Sequence, residues 1–398
     1  MNVIDRTISY LASKRGIFTG PKSEYVPSFR ALGDATNVNH NTALTFTGAF
    51  SAISTKAETL ASLPKQIFET TKKGKILSTK HPVYRLIHFQ PNPIMTDFAF
   101  WEKIEADVAG WGNSIVVIDF DGNGYPRALW PIEPDNFQIL REKKQITYKI
   151  LNGDFAGIYN PGDILHFKYF TRDGLMGVDP IAFNAQALSI GLSGQKFAKD
   201  YFDTKGKLRG VFEMENSMGD KEYAQWMDRM SKNSDHDTPL LEYGIKYRGI
   251  SLSPDAAQAI QSRLFSIQDA SRIWKVPVSL LAEHTHSTFT NTEQQDIQFV
   301  KYGLRPECKR FETEIETKLF RSDERDNFSV KFNLEGLLRG DLTARANYLK
   351  MATAGRPWML PDEAREIENM APLGGKSGEY VDPANITGNQ NQQSQNQK

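Results

Sequence analysis

Hydrophobic residues along this chain mark two long helices that flank a short polar segment. The first helix follows Ser253-Pro254-Asp255, where Ser suits the N-cap and Pro the first helical position. Its apolar residues recur at helical spacing: Ile260, Leu264, Ile267 and Trp274. A longer helix is predicted from about Thr292 to Phe320, with a bend at Pro306, which lacks a backbone donor. The polar segment between the helices, 283–291, is therefore expected to be a presented loop.

The first half of the chain combines short helices with a run of strands. Helices are predicted over Ala43–Leu63 and from Thr96-Asp97 to Trp111. The predicted strands are separated by turn signals: Gln66–Glu69, Lys75–Leu77, Ser114–Phe120, Ala128–Ile132, Asn136–Leu140, Gln145–Leu151 and Ile164–Phe170. A further strand is predicted at Phe328–Leu334. This pattern indicates an α+β fold.

A helix rich in small residues is predicted from Asp179-Pro180 to about residue 203. Gly191 and Gly194 each cost on the order of 1 kcal/mol relative to alanine inside a helix. That cost favours close packing against a neighbour, either in this chain or as the same helix of another subunit. The insert that follows, residues 205–250, is predicted to form a strand, a helix and a strand: Leu208–Met214, Asp220–Met230 and Leu240–Tyr247.

The two ends of the chain differ from its body. Residues 1–40 are predicted to form an irregular arm. Helices are expected at Leu342–Met351 and Pro361–Met370. The tail, 386–398, is rich in Asn and Gln and is predicted to be disordered.

Composition narrows the range of functions. Among 398 residues, 48 basic and 48 acidic residues balance, which argues against a sequence-reading nucleic-acid binder but not against a surface that lets DNA pass. No apolar run is long enough to span a membrane, and the N-terminus lacks a signal-peptide pattern. The single cysteine, Cys308, excludes an internal disulfide and is predicted to be a buried apolar residue. These features predict a protein kept in a reducing cytoplasm or in a particle assembled there.

Three segments could suggest chemistry, and each has a simpler interpretation. Asp119, Asp121 and Asn123 match the first half of a calcium loop, but Trp130 stands where the bidentate acid is due, so a hairpin turn is predicted. Gly375-Lys376-Ser377 resembles a phosphate loop without its leading glycine and is interpreted as a turn. His284 and His286 could bind a metal in a nuclease or another hydrolase, although solvated histidines are the favoured interpretation. No enzyme, cofactor or metal site is predicted.

An ordered series of short motifs resembles the tailed-phage portal proteins of the HK97 type. The motifs run in one order from about residue 40 to 385: Pro91-Asn-Pro-Ile-Met-Thr-Asp97, Trp111-Gly-Asn-Ser114, Asp121-Gly-Asn-Gly124, Leu129-Trp-Pro-Ile-Glu-Pro134, Asp163-Ile-Leu-His166, Asp173-Gly-Leu-Met-Gly-Val-Asp-Pro180, Arg272-Ile-Trp-Lys-Val-Pro277, Asn291-Thr-Glu293, Arg305-Pro306 and Pro372-Leu-Gly-Gly375. Each motif alone is weak. Their order carries the resemblance.

The resemblance implies a subunit of a twelve-membered ring at one capsid vertex, through which double-stranded DNA is packaged and ejected. It implies the following divisions: arm 1–40, β-rich wing 41–178, stem helix 179–204, clip 205–250, second stem helix 251–277, tunnel loop 278–291, long kinked helix and wing return 292–340, crown 341–385 and tail 386–398. The implied location is the virion, after assembly in the host cytoplasm. The implied partners are further copies of the chain, DNA without sequence specificity, the terminase large subunit, the major capsid protein or scaffold, and a head–tail adaptor, with no membrane.

Candidate site residues follow from the same resemblance. The tunnel loop would present Glu283, His284, Thr285, His286, Ser287, Thr288, Phe289 and Thr290 to DNA. Stem residues Arg263, Arg272 and Lys275 could contact phosphates, or could equally form salt bridges between subunits. Terminase or adaptor contacts are expected in the clip at Lys205, Lys207, Arg209, Glu213 and Glu215. A smaller ring connector, such as a head–tail adaptor, is the remaining alternative, and the length of the chain disfavours it.

Overall fold

The computed structural model describes most of the chain between residues 24 and 378. The described ranges are 24–26, 38–72, 74–143, 145–203, 210–213, 219–232, 246–249, 255–281, 289–334, 336–337, 342–354, 358–368 and 370–378. The predicted disordered tail and most of the predicted N-terminal arm lie outside these ranges.

Helices and small antiparallel sheets alternate along the described chain, which makes the fold α+β. The α-helices are α1 (His40–Leu44), α2 (Thr47–Ser62), α3 (Pro82–His88), α4 (Asp97–Trp111), α5 (Pro180–Phe183), α6 (Ala185–Asp203), α7 (Asp220–Lys232), α8 (Asp255–Trp274), α9 (Phe289–Gln298), α10 (Arg305–Lys318), α11 (Leu342–Thr353) and α12 (Pro361–Ile367). A π-helical turn, Phe299–Leu304, joins α9 to α10.

The described strands pair into four small sheets. They are β1 (Glu24–Val26), β2 (Lys65–Thr71), β3 (Gly74–Leu77), β4 (Asn113–Phe120), β5 (Pro126–Ile132), β6 (Phe137–Glu142), β7 (Gln145–Ile150), β8 (Gly157–Tyr159), β9 (Ile164–Lys168), β10 (Gly210–Glu213), β11 (Lys246–Gly249) and β12 (Phe328–Phe332). The strand orders are β1-β6-β7-β8, β5-β4-β9, β12-β2-β3 and β10-β11. β12 pairs with β2 across a long stretch of sequence, so the chain returns to its first half after α10.

The largest core surrounds Trp101 of α4. Its indole Nε1 donates to the Ile87 carbonyl at 3.0 Å, and its ring packs against Phe167 and Phe332. Helix α4 is well defined at both ends, because Thr96 caps its first turn and Gly112 ends it with a φ of 76°. A second core joins α2 to α6, α8 and the π turn, and includes Phe46, Ala270, Trp274 and Phe299. The two cores place the long helices against the sheet-containing half of the molecule.

Several sequence predictions needed correction. The arm predicted as irregular contributes β1, which pairs with β6 through Val26 opposite Ile139. The long helix begins at Phe289 rather than Thr292, and the distortion lies in the π turn that precedes Pro306. Strand β8 was not predicted. Of the predicted last strand of the insert, Leu240–Tyr247, residues 240–245 lie outside the described ranges, and the described strand Lys246–Gly249 extends beyond its predicted end. The strand predictions from Ser114 to Phe170 are otherwise confirmed within a few residues at each end.

Candidate channel and assembly surfaces

Helices α6 and α8 pack against each other, and both are supported at one end by α2. Gly191 of α6 faces the ring of Phe46, so that a Cβ at this position would lie 3.0 Å from the Phe46 Cζ. Gly48 of α2 approaches Ala270 of α8 in the same way, at 3.5 Å between Cβ positions. The predicted close packing at Gly191 is therefore confirmed, with Phe46 of the same chain as its partner.

The end of α8 is fixed to the rest of the molecule by two hydrogen bonds. The Trp274 Nε1 donates to the Ala109 carbonyl in α4 at 2.8 Å, and the Tyr169 hydroxyl donates to the Ile273 carbonyl at 2.9 Å. Trp274 is fully buried. These contacts hold the Arg272-Ile-Trp274 motif against the end of α4.

The start of α5 is held in place by α1, next to the end of α4. Asp179 caps the helix, accepting from the Ala182 N–H at 2.9 Å, and its other carboxylate oxygen lies 2.9 Å from the His40 Nε2. His40 stacks on Trp111 with ring centroids 4.7 Å apart. A cavity of about 340 Å³ opens beside these residues. Helix α5 thus begins where it meets α1 and α4.

The sequence motifs around Gly112 and Gly177 pack directly against each other. A Cβ at Gly112 would lie 2.2 Å from the Val178 carbonyl oxygen, and one at Gly177 would lie 1.9 Å from the Gly112 oxygen. The Asn113 side chain completes the clamp, because its Oδ1 accepts from the Gly177 N–H at 2.7 Å and its Nδ2 donates to the Gly177 carbonyl at 3.0 Å. The Trp111-Gly-Asn and Gly177-Val-Asp motifs are therefore one structural unit.

His166 extends this unit into the sheet β5-β4-β9. Its Nε2 lies 3.0 Å from the Asn113 Oδ1, and its Nδ1 lies 3.2 Å from the Tyr148 hydroxyl. Burial lowers the pKa of His166 well below its ordinary value, so the ring is neutral. A neutral ring that donates to Asn113 and accepts from Tyr148 satisfies both partners. The role of His166 is structural.

A buried ion cluster joins α2, α4 and α10. The Lys56 ammonium lies 3.2 Å from Glu105 Oε1 and 2.5 Å from Glu307 Oε2, and all three side chains are almost fully buried. Burial, followed by the charge of Glu307, raises the pKa of Glu105 well above its ordinary value. Burial opposes the charge on Lys56, but the two carboxyls outweigh it and raise the pKa of Lys56. In this cluster burial favours the protonated form of Glu105, since burying a second unpaired charge would be costly.

Regular secondary structure occupies both ends of the segment 278–291 that was predicted as a tunnel loop. Val278–Leu281 forms a 3₁₀ turn in which Ser279 and Leu281 are buried, and Ser279 Oγ donates to Gln295 Oε1 of α9 at 2.8 Å. Phe289 and Thr290 form the first turn of α9 rather than part of a loop. The other candidates, Glu283, His284, Thr285, His286, Ser287 and Thr288, lie outside the described residues. Residues 282–288 separate these two segments in the sequence.

The three stem candidates lie on or just after α8. The structure describes the backbone of Arg263 but not its side chain. Arg272 is exposed and pairs with Asp269 at 2.6 Å, an exposed contact that contributes little to stability. Lys275 is exposed and adopts a left-handed conformation with a φ of 58°. A non-glycine residue in that region is uncommon, and here it ends α8.

Within the insert, the structure describes a strand pair and one helix. Glu213 lies in β10 directly opposite Lys246 of β11, an arrangement of opposite charges that favours the pairing. Lys205, Lys207, Arg209 and Glu215 lie outside the described residues.

An exposed apolar stripe on α5 and α6 was not predicted as a surface. Phe183, Ile190 and Phe197 recur every seventh residue, and 48%, 55% and 42% of their surfaces are exposed. Gln186 and Ser193, at the intervening positions, are exposed as well. Within α6, a spacing of seven places Ile190 and Phe197 in one row, as in a helix–helix seam, and Phe183 lies at the end of the preceding helix α5. The spacing is visible in the sequence, but only the structure shows that this row lies opposite the buried face.

The other sequence candidates for chemistry prove to be ordinary structure. Asp121 Oδ1 accepts from the Asn123 and Tyr125 N–H groups, which confirms the predicted hairpin turn. Gly375–Gly378 forms a 3₁₀ turn, and Cys308 is buried. Among the described residues, no group of three or more His, Cys, Asp or Glu side chains is arranged to hold a metal ion. The described helices include none with the length and apolarity to cross a membrane.

Comparison with known proteins places these features in a family. The family model described as phage portal protein matches residues 48–369, most of the chain. The portal protein of Enterobacteria phage HK97 is 27% identical over 371 residues, covering 91% of this chain and 86% of that protein. The relatives give no support to the hydrolase alternative.

Solved structures agree on the fold. An HK97-family phage portal protein from Corynebacterium diphtheriae superposes with a TM-score of 0.58 at 15% identity, covering 78% of this chain and all of that one. A chain from the neck of a native gene transfer agent particle, computed with C12 symmetry, superposes with a TM-score of 0.57 at 16% identity. That match covers 92% of this chain and 99% of the other.

Proposed function

Because this chain belongs to the phage portal protein family, we propose that twelve copies close into a ring at one capsid vertex, and that double-stranded viral DNA enters and leaves through it. The chain is a portal ring subunit of a phage-type particle. The observation that carries this conclusion is the family match over residues 48–369, together with a fold shared with a neck chain of a C12-symmetric particle. The ring would be assembled in the host cytoplasm and retained in the virion.

The stem is proposed to surround the channel. Helix α8 is held at one end by the bonds of Trp274 and Tyr169, and α6 packs against α8, so the pair can project from the rest of the subunit without losing its orientation. The insert between them, 205–250, would then lie at the far end of the stem. We assign this clip to contacts with the terminase large subunit during packaging and with the head–tail adaptor afterwards.

The ring contacts are proposed to include the α5–α6 stripe. A head-to-tail ring needs two different complementary faces on each subunit, and the row of Phe183, Ile190 and Phe197 supplies an exposed apolar face. Small residues between the apolar ones would let a neighbouring helix approach closely. The residues from 41 to 178, with β12, would contact the capsid or scaffold, and the helices after residue 341 would form the crown inside the head.

The loop at 282–288, with the first turn of α9, is proposed to face DNA. It offers hydroxyls and histidines and no lysine or arginine, which suits a conduit that touches phosphates without gripping bases. Its anchor is the Ser279–Gln295 hydrogen bond at its base. The loop can therefore change without disturbing the helices that hold it.

Replacing 284–288 with an equal length of Gly and Ser tests this division of labour. We expect rings of normal mass that package or retain less DNA, because the helices on both sides keep their own contacts. A matched Gly-Ser replacement of 391–395 in the tail is the control and should package normally. Full packaging by the loop variant, or failure of its subunits to assemble, would contradict the assignment.

A further inference from the structure

The long helix carries an exposed face on which every charged residue is basic. From Phe299 to Arg310, the exposed residues are Lys301, Tyr302, Arg305, Pro306, Lys309 and Arg310. The acidic residue within this stretch, Glu307, is 2% exposed and is bound by Lys56. Four positive charges therefore lie together on the surface of a chain whose formal net charge is zero.

These charges are largely uncompensated. Lys309 is 3.4 Å from a Glu312 oxygen that Lys331 binds more closely, at 2.9 Å. The Lys301 ammonium lies over the ring of its neighbour Tyr302, 5.2 Å from the ring centroid. In the described parts of the chain, Lys301, Arg305 and Arg310 have no carboxylate within 4.0 Å. The face is available to an anion from outside the subunit.

The π turn brings this face to the root of the stem. Gly303 packs so closely that a Cβ there would lie 3.1 Å from the Lys275 carbonyl oxygen and 2.9 Å from the Phe299 ring. Lys275, with its left-handed φ of 58°, thus ends α8 directly against the turn that carries Lys301. A lysine kept in a conformation that favours glycine suggests that its side chain is used.

The pattern fits a phosphate backbone better than a protein surface. Arg305 and Lys309 are four residues apart in α10, about 6 Å along the helix axis, and Lys301 lies in the π turn that precedes them. Such a row presents regularly spaced cations to a regularly charged polymer. Protein interfaces have apolar cores and are depleted in lysine, whereas this face is flanked only by Tyr302 and Pro306. Lysine and arginine are the usual donors to DNA phosphates.

We propose that Lys275, Lys301, Arg305, Lys309 and Arg310 form a phosphate-binding face that contacts the DNA backbone at the root of the stem. This rests on the proposed function, in which DNA passes through the ring. It also accounts for a tunnel loop without lysine or arginine, because the electrostatic contact is made by the helix that follows the loop.

The test compares two variants of the assembled full-length ring that remove the same charge. The first replaces Lys301, Arg305 and Arg310 with Gln. The control replaces Lys75, Arg141 and Lys149, which are exposed on β3, β6 and β7, with Gln. Binding of a short fluorescent DNA duplex is measured by anisotropy across a range of salt concentrations, with ring mass checked for each protein.

We expect the first variant to bind DNA about tenfold more weakly, with a flatter dependence on salt because fewer counterions are released. The control should match the wild type. Equal binding by all three proteins, an equal loss in both variants, or loss of the ring in the first variant alone would overturn the proposal, the last by assigning the face to a neighbouring subunit. A wild-type ring that binds no DNA would overturn the proposed function as well.

Discussion

The indole nitrogen of Trp274 lies 2.8 Å from the carbonyl oxygen of Ala109 and donates a hydrogen bond to it. These residues are far apart in the sequence and belong to α8 and α4. Through this contact α8 is held against the helix at the centre of the largest core. The orientation of α8 therefore depends on a buried polar contact as well as on apolar packing.

Replacing Trp274 with Phe should lower the thermal stability of the subunit. The aromatic ring is largely kept, but the buried Ala109 carbonyl loses its donor, which costs about 1–3 kcal/mol. Differential scanning fluorimetry of Trp274→Phe measures the change. Trp358→Phe is the matched control, because Trp358 is exposed. If both variants melt at the wild-type temperature, the bond does not support α8.

Replacing Gly112 with Ala should prevent normal folding. The added Cβ would lie 2.2 Å from the Val178 oxygen, and the φ of 76° would also be strained for alanine. Gly110→Ala, two residues earlier, is the control because, apart from its chain neighbours and the backbone of its own helix, no atom lies within 4 Å of the position that its new methyl group would take. We expect insoluble Gly112→Ala protein and soluble Gly110→Ala protein with unchanged or slightly higher stability. Soluble, normally melting Gly112→Ala would contradict the close contact of the two motifs.

Asp107 should make stability depend on pH. Burial raises the pKa of Asp107 to about 7, although the Lys103 ammonium, 3.1 Å away and partly exposed, and the Ser114 hydroxyl oppose the rise. The folded state thus binds this proton more tightly than the unfolded state, in which the pKa is near 3.8. The stabilising contribution is complete below about pH 4 and is lost as the pH rises towards 7. Three pH units correspond to roughly 4 kcal/mol.

The measurement for Asp107 is the melting temperature of Asp107→Asn minus that of the wild type, taken from about pH 4 to pH 7. This difference should rise with pH, because the amide cannot ionise. Asp135→Asn, at an exposed position, should give a flat difference. A flat difference for Asp107→Asn would show that its carboxylate is as well accommodated as its protonated form.

Replacing Ile190 and Phe197 with Ser should weaken ring assembly without unfolding the subunit. Both side chains are about half exposed, so their loss removes little of the subunit's own packing. As part of a seam, however, each would be buried by a neighbouring copy. Sedimentation velocity measures assembly and circular dichroism measures folding. The matched variant carries Ser at Phe89 and Phe170, which are comparably exposed outside α5 and α6, and should assemble normally. Normal rings from the Ile190 and Phe197 variant would exclude the stripe as a subunit contact.

Periodicity in the sequence predicted the regular elements well, because local spacing determines which face of a helix or strand is apolar. The strands from Ser114 to Phe170 and the start of α4 at Thr96 follow from such local signals. The β1–β6 pairing was not predictable in this way, since three residues of an irregular-looking arm become a strand only when β6 offers an edge. The π turn was not predicted either, and in the structure its Gly303 packs against the Lys275 carbonyl, a contact between distant parts of the chain.

For the candidate site, the sequence suggested the parts but not their contacts. Ordered motifs gave the family, yet nothing in the spacing of Trp111-Gly-Asn and Gly177-Val-Asp shows that they clamp each other. The buried Lys56, Glu105 and Glu307 cluster also depends on three distant helices meeting. The basic face on the long helix could not be predicted from the sequence, because the exposure that distinguishes Arg305 from Glu307 is a property of the fold.

The central claim is that this chain closes into a ring with a channel. Native mass spectrometry of the purified full-length protein, with negative-stain images of the same sample, tests it most directly. We expect a mass close to twelve subunits of 45.0 kDa and rings with a central hole. A protein that stays monomeric or dimeric across concentrations and salt conditions, with no rings in the images, would contradict it.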